Sequence, residues 1–183
     1  APSLEGFLFP DTYILLKTYT EEDIIRVLVN QFAHNIDELK QYSTVKLNAR
    51  EITTMASIIQ GEAMYEDEMP IISSVYYNRL KRGMLLQADP TIQYIIPGRP
   101  RRLYNKDLEV DDPYNTYKYK GLPPGPINNP GLAALKAAMN PAETKYLYFV
   151  SNLEGRHTFT HTADEHNQAK LKMKEKRRSK RKL

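Results

Sequence analysis

In "MASIIQGEA" (residues 55–63), Glu62 closes a run of apolar positions, and three further acids, Glu66, Asp67 and Glu68, follow beyond it. On a helical wheel of about 100° per residue with Ile52 as origin, the apolar positions fall within about 60° either side. Glu62 falls near 280°, roughly beside Met55, and Gln60 falls on the other flank, near 80°. An acid on the margin of a buried stripe loses water, which disfavours its charged form and raises its pKa. A carboxyl still protonated near neutral pH can protonate a leaving alcohol. A rim carboxylate paired with an arginine would sit in the same place, and Glu62 alone does not choose between the two.

Other residues supply the surroundings that a sugar would need. "LQADPT" (86–91), "YNTY" (114–117) and "GLPPGPINNPG" (121–131) combine rigid proline and permissive glycine with uncharged donors and acceptors. Gln87, Asp89, Asn115, Thr116 and Tyr117 are the candidates for holding a glycan. The thirteen Tyr, against five Phe and no Trp, offer flat apolar faces with a polar edge. Asp89 has two readings. It could activate water as the second carboxylate of a hydrolase, or cap a turn before Pro90. His157, His161 and His166 invite a metal, but no carboxylate spacing of the zinc-protease kind accompanies them, so no metal and no cofactor is expected. His157 is placed on the cleft, and His166 with Asn167 is expected to fix the last helix.

The elements that must position these groups are mostly helical. Thr20 followed by Glu21, Glu22 and Asp23 predicts a helix start, continued by Ile24, Val27, Leu28, Phe32, Ile36 and Leu39. Asn48 and Glu51, three apart, predict a capping pair ahead of the helix that ends near Glu62. A third helix is predicted from about Asp67, with Pro70 in its first turn and a stop at Gly83. A fourth begins at Asn129–Pro130 and ends before Pro141. "YLYFV" (146–150) and "HTFTH" (157–161) flank a glycine-containing turn and predict a hairpin. Thr162, Asp164 and Glu165 start a final helix, "LEGFLFPDTYIL" (4–15) reads as loop and short strand, and residues 85–131 read as a long ordered loop. The class is α+β, mainly helical, with a small antiparallel β element near 146–161.

A chain of 183 residues suits one domain. The last twelve residues, "KMKEKRRSKRKL" (172–183), carry eight basic residues and one acid. That +7 turns the overall +4 into −3 for residues 1–171, so the basicity does not argue for nucleic acid. The expected division is therefore a folded domain over 1–171, the part that carries the candidate acid, and a disordered basic tail over 172–183. The absence of Cys removes disulfides, thiol nucleophiles and thiolate metal sites. There is no run of about 20 apolar residues to span a membrane.

Six segments taken together, "EGFLFPDTY", "MASIIQGEA", "SVYYNRLKRGMLLQADPTIQY", "DPYNTYKYKGLPPGPINNPG", "KAAMNPAETKYLYFV" and "HTFTHTADEHN", resemble the YceG-like endolytic murein transglycosylases. They run in the family's order from Glu5 to about Asn167. The resemblance implies a lysozyme-like catalytic domain that cleaves the β-1,4 bond between N-acetylmuramic acid and N-acetylglucosamine and leaves 1,6-anhydro ends. It implies Glu62 as the catalytic acid, and a Glu two residues earlier in many members where this chain has Gln60. It also implies a single-pass membrane protein with this domain outside, anchored by an upstream helix, with a small LysM-like region before the domain. The substrate would be peptidoglycan strands, trimmed or terminated beside the peptidoglycan synthases and the divisome or elongasome. Two other readings of the same residues are a hydrolytic muramidase and a non-catalytic glycan-binding module.

Overall fold

The computed structural model describes residues 3–152 and 154–180. Helix α1 (Glu21–Lys40) and helix α2 (Ala49–Glu62) each open on a reciprocal capping box, Thr20 with Asp23 and Asn48 with Glu51. Each box satisfies two amides that a helix start leaves unpaired. A 3-10 turn (Glu66–Glu68) leads into α3 (Met69–Lys81), which stops before Gly83 in the left-handed conformation at φ +63°. Then come α4 (Asp89–Ile95), a second 3-10 turn (Asn105–Glu109) and α5 (Leu132–Met139). Strands β1 (Tyr148–Ser151) and β2 (His157–Thr160) pair antiparallel, Phe149 opposite Phe159, and α6 (Ala163–Lys180) follows.

Helix α2 is the hub, packed against α3, α4 and α5. Every residue from Ile52 to Ile59 is buried, so the apolar stripe of the sequence reading is too narrow. Three hydroxyls tolerate burial because the helix backbone takes them up: Thr53 Oγ1 donates to the Ala49 carbonyl at 2.7 Å, Thr54 to Arg50 at 2.8 Å and Ser57 to Thr54 at 2.8 Å. At Gly61 and Glu62 the enclosure ends and the helix reaches the surface.

The structure departs from the sequence reading in four places. Residues 4–15 form no strand, because the amides of Gly6 and Leu8 are taken by Asn129 Oδ1, at 2.7 and 3.2 Å, rather than by a strand partner. The third helix starts at Met69 rather than near Asp67, since residues 66–68 wind as 3-10. The long loop holds a short helix, α4, started by Asp89 and Pro90, so Asp89 sits in a first helical turn rather than a free-standing one. Finally, the stretch expected as a disordered tail is helical from Lys172 to Lys180, and residues 181–183 lie outside the described residues. The reason is local: no glycine or proline interrupts 163–180, its Lys, Arg, Met and Leu favour helix, and the half-buried His166, Ala169 and Met173 hold its first half in place.

Candidate active site

Glu62 is the last residue of α2, half-buried, with Tyr76 from α3 donating its hydroxyl to Oε1 at 2.9 Å. Tyr76 can do this because it is itself buried, at 1% exposure, edge-on to Phe149 of β1. Burial pushes the Glu62 carboxyl from 4.5 up to about 7. The Asp89 charge adds to the rise, while the Tyr76 hydroxyl, the Asp89 amide and Arg79 oppose it. Burial and the neighbouring Glu62 hold Tyr76 well above the usual phenol range, so it remains a donor. Glu62 is therefore poised between acid and base near neutral pH.

Asp89 reaches the same place from α4 and accepts the Tyr117 hydroxyl at 2.5 Å. Burial and that bond keep Tyr117 protonated. The close approach of α4 to α2 depends on Gly61. A Cβ there would lie 2.7 Å from Pro90 Cβ, and real contacts of that kind are not made. Gln87 sits just before α4 at φ +48°, a left-handed conformation unusual outside glycine. Thr116 holds it there: its carbonyl takes the Gln87 amide at 3.0 Å, and its hydroxyl takes the Ala88 amide at 3.0 Å and pairs with Thr91 at 2.9 Å.

Two contiguous lobes open from Glu62 and Asp89. The first, about 390 Å3, is walled by Arg79, Gln87, Tyr117, the hairpin residues Phe149–Ser151 and His157, and His166, Lys170 and Met173 of α6. The second, about 380 Å3, is walled by Gly61, Pro90, Gln93, Tyr94, Pro100, Ile127 and Asn128. A larger groove of about 840 Å3 lies elsewhere, where Glu143 is the only acid on its wall, and it does not include Glu62.

Arg79 braces the first lobe. Its Nε donates to the Leu147 carbonyl at 2.7 Å and its Nη1 to Leu86 at 2.7 Å, so one fork ties the hairpin to the segment carrying Gln87 and Asp89. Glu68 performs a similar service for His157. One carboxylate oxygen accepts the His157 backbone amide at 3.0 Å and the other lies 3.0 Å from Nδ1. Arg156, bonded to Asp67 at 2.9 Å and stacked 4.3 Å over Tyr65, fastens the hairpin turn to the chain just after Glu62. His166 stacks on Tyr148 at 5.2 Å, and burial lowers its pKa to about 4, which leaves the ring neutral.

Of the residues picked from sequence, Glu62, Gln87, Asp89, Tyr117 and His157 meet in the cleft. Asn115 and Thr116 do not. Asn115 is fully buried, spending its amide on the Leu108 and Val110 carbonyls at 3.0 and 2.7 Å, and Thr116 is the brace already described. Both are corrected from glycan contacts to supports of the loop that presents Tyr117. His166, expected only to fix the last helix, lines the cleft as well. Sequence reasoning gave no site role to Tyr76, Arg79 or Glu68, although Tyr76 falls on the buried face of its helix and Glu62 on the margin of the neighbouring one. No cluster of three metal-ligating side chains occurs among the described residues. Gln60 turns away from both lobes: its Oε1 accepts the Gly131 amide at 3.2 Å at the start of α5.

Comparison with known proteins adds independent weight. The model of the YceG-like family matches residues 1–172. An endolytic murein transglycosylase of Bacillus subtilis (strain 168) is 44% identical over 171 residues, covering 92% of this chain and 48% of the relative. One from Streptococcus pneumoniae serotype 2 (strain D39) is 34% identical, covering 90% of this chain and 31% of the relative. A crystal structure of a yceG-like protein from Listeria monocytogenes superposes with a TM-score of 0.82 at 43% identity, covering 91% of this chain and 55% of that one. The chain thus spans about half, or less, of the length of the relatives it matches.

Proposed function

The chain belongs to the YceG-like family, and from that premise we propose that it is a lytic transglycosylase acting on the β-1,4 bond between N-acetylmuramic acid and N-acetylglucosamine in peptidoglycan, with Glu62 as its catalytic residue. The observation that carries the reading is the position of Glu62. It stands where the two lobes join, with a carboxyl whose pKa lies at about 7. Relatives that bear the name endolytic murein transglycosylase support it.

One titrating acid is sufficient for such a reaction. Protonated Glu62 gives its proton to the glycosidic oxygen as the bond from that oxygen to C1 breaks, and positive charge builds on the muramic acid ring. The Glu62 carboxylate then takes the proton of that sugar's C6 hydroxyl, whose oxygen bonds to C1 and closes the 1,6-anhydro ring. Glu62 ends protonated, ready for the next cycle, and no water is consumed. Asp89 on the cleft rim, with Tyr117 as its donor, is the second carboxyl group on the lobe where the developing cation would sit. Tyr76 stabilises the carboxylate that forms midway.

A hydrolase would use Asp89 to activate water on the far face of the sugar. Mass spectrometry of digested glycan strands separates the two, since anhydro ends are lighter than reducing ends by one water. The expected result is anhydro ends with the unaltered protein and no cleavage with Glu62→Gln. Reducing ends would overturn the lyase, and undiminished cleavage by Glu62→Gln would overturn the residue assignment. Unimpaired glycan retention with no cleavage by either protein would favour a binding module.

The same reading puts the protein at the outer face of the cell membrane, beside the synthases whose nascent strands it would trim. No helix among the described residues is long and apolar enough to cross a membrane, so an anchor would lie in sequence outside them.

A further inference from the structure

The two lobes share Glu62 and Asp89, but the rest of their walls differ in charge. The lobe against the hairpin and α6 adds Arg79 and Lys170, both cations. The lobe against α4 adds no charged side chain at all. It is built of Gln93, Asn128, the Tyr94 ring, two prolines and Ile127. Arg79 lies within range of the Glu62 charge, but neither cation is held in a salt bridge among the described residues. Arg79 is held by backbone carbonyls rather than by a carboxylate. Lys170 is exposed and lies one helical turn from His166, so α6 turns the same face, with Met173, into the cleft.

Peptidoglycan alternates two sugars that differ at C3. N-acetylglucosamine has a hydroxyl there, whereas muramic acid has a lactyl ether that ends in a carboxylate or in a peptide with carboxylates of its own. An asymmetric cleft can read that difference. Resting on the proposed function, we propose that the cationic lobe takes the muramic acid whose C1 is attacked, with Lys170 pairing to a carboxylate on its lactyl arm. The uncharged lobe takes the N-acetylglucosamine that leaves. Lys170 is then a specificity residue that sets the register of the strand over Glu62, so that every second glycosidic bond is presented for cleavage.

The test measures binding in the Glu62→Gln background, where turnover does not interfere, with three probes of equal glycan length: chitotetraose, a peptide-free muramic acid tetrasaccharide, and the same tetrasaccharide bearing stem peptides. Lys170→Glu should weaken the muramic acid probes by about 5-fold, and Lys170→Gln by about 2- to 3-fold, as expected for an exposed ion pair. Chitotetraose should move by less than about 2-fold. The preference of the Lys170 protein for muramic acid should also shrink as salt is raised. A response confined to the peptide-bearing probe upholds the proposal with the carboxylate on the stem, one confined to the peptide-free probe upholds it with the free lactyl carboxylate, and a response of both upholds it with Lys170 reaching whichever carboxylate ends the arm. Equal shifts for all three probes, no shift, or no binding of any probe overturns it. Failure of the lyase reading is seen separately, in the absence of anhydro ends from the unaltered protein.

Discussion

Replacing Glu62 by Gln should make the protein more stable while making it inactive, and the gain should depend on pH. In the folded state the carboxyl titrates at about 7 instead of 4.5, chiefly because burial disfavours its charge. Between those values the folded state holds a proton that the unfolded chain has released, so the stability of the native protein falls as pH rises through this window. The rise from 4.5 to about 7 corresponds to about 3 kcal/mol once Glu62 is ionised in the folded state. Gln keeps an oxygen to accept the Tyr76 hydroxyl and carries no charge to desolvate. At pH 4 the two proteins should melt within about 1 °C of each other, and by pH 8 Glu62→Gln should melt higher by roughly 6–12 °C, taking 2–4 °C per kcal/mol for a chain of this size. Thermal melts followed by circular dichroism at pH 4, 5.5, 7 and 8 test this, alongside product analysis at pH 7. A melting difference that is the same at pH 4 and pH 8, or a Gln variant less stable at pH 8, would refute the idea that Glu62 is held in a desolvated, strained state.

The pH profile of cleavage should fall about tenfold per unit above pH 7, where Glu62 loses the proton it must donate. Tyr76→Phe removes a donor that favours the carboxylate and should move that limb up by about one unit, whereas Asp89→Asn removes a nearby negative charge and should move it down; shifts in the same direction would count against the scheme. Gly61→Ala should lower kcat/KM by roughly 10- to 100-fold with a smaller change in melting temperature, because the new Cβ drives Pro90, and with it Asp89, away from α2. Arg79→Met should destabilise by about 3 kcal/mol by stranding the Leu147 and Leu86 carbonyls, with Arg79→Lys intermediate, both read from urea melts.

Local signals were legible wherever chemistry and geometry coincide over a few residues. The helix start at Thr20, the Asn48–Glu51 box, the stop at Gly83 and the hairpin around Gly155 are all short-range, and each is found where its residues predict it. Glu62 was legible as the acid that closes the apolar run, although its edge is the end of α2's enclosure and not the side of a narrow stripe. What sequence spacing could not supply was contact between distant segments. Asn115 and Thr116 carry the same side chains whether they face a sugar or brace a loop, and only the carbonyls of Leu108 and Val110 and the amide of Ala88 decide that they brace. Arg79 looks like an ordinary basic residue at the end of α3 until Leu147, 68 positions away, accepts its Nε–H. The α6 extension was misread because charge density argued for disorder, while helix propensity and docking of His166, Ala169 and Met173 act in the other direction. Gln60 shows the same limit from another side: near Glu62 in sequence, it serves the first turn of α5 and lines neither lobe.

The walls around Glu62 come from α2, α3, the stretch before α4, the hairpin and finally Met173, so they arrive in order as the ribosome makes the chain. A nascent chain that has emerged only as far as α5 already possesses the acid and its Tyr76 and Asp89 neighbours, but it lacks the wall that the hairpin and α6 add. The proposed cleavage would thus wait until the hairpin and α6 have docked, because only then is the lobe beside Glu62 walled on that side.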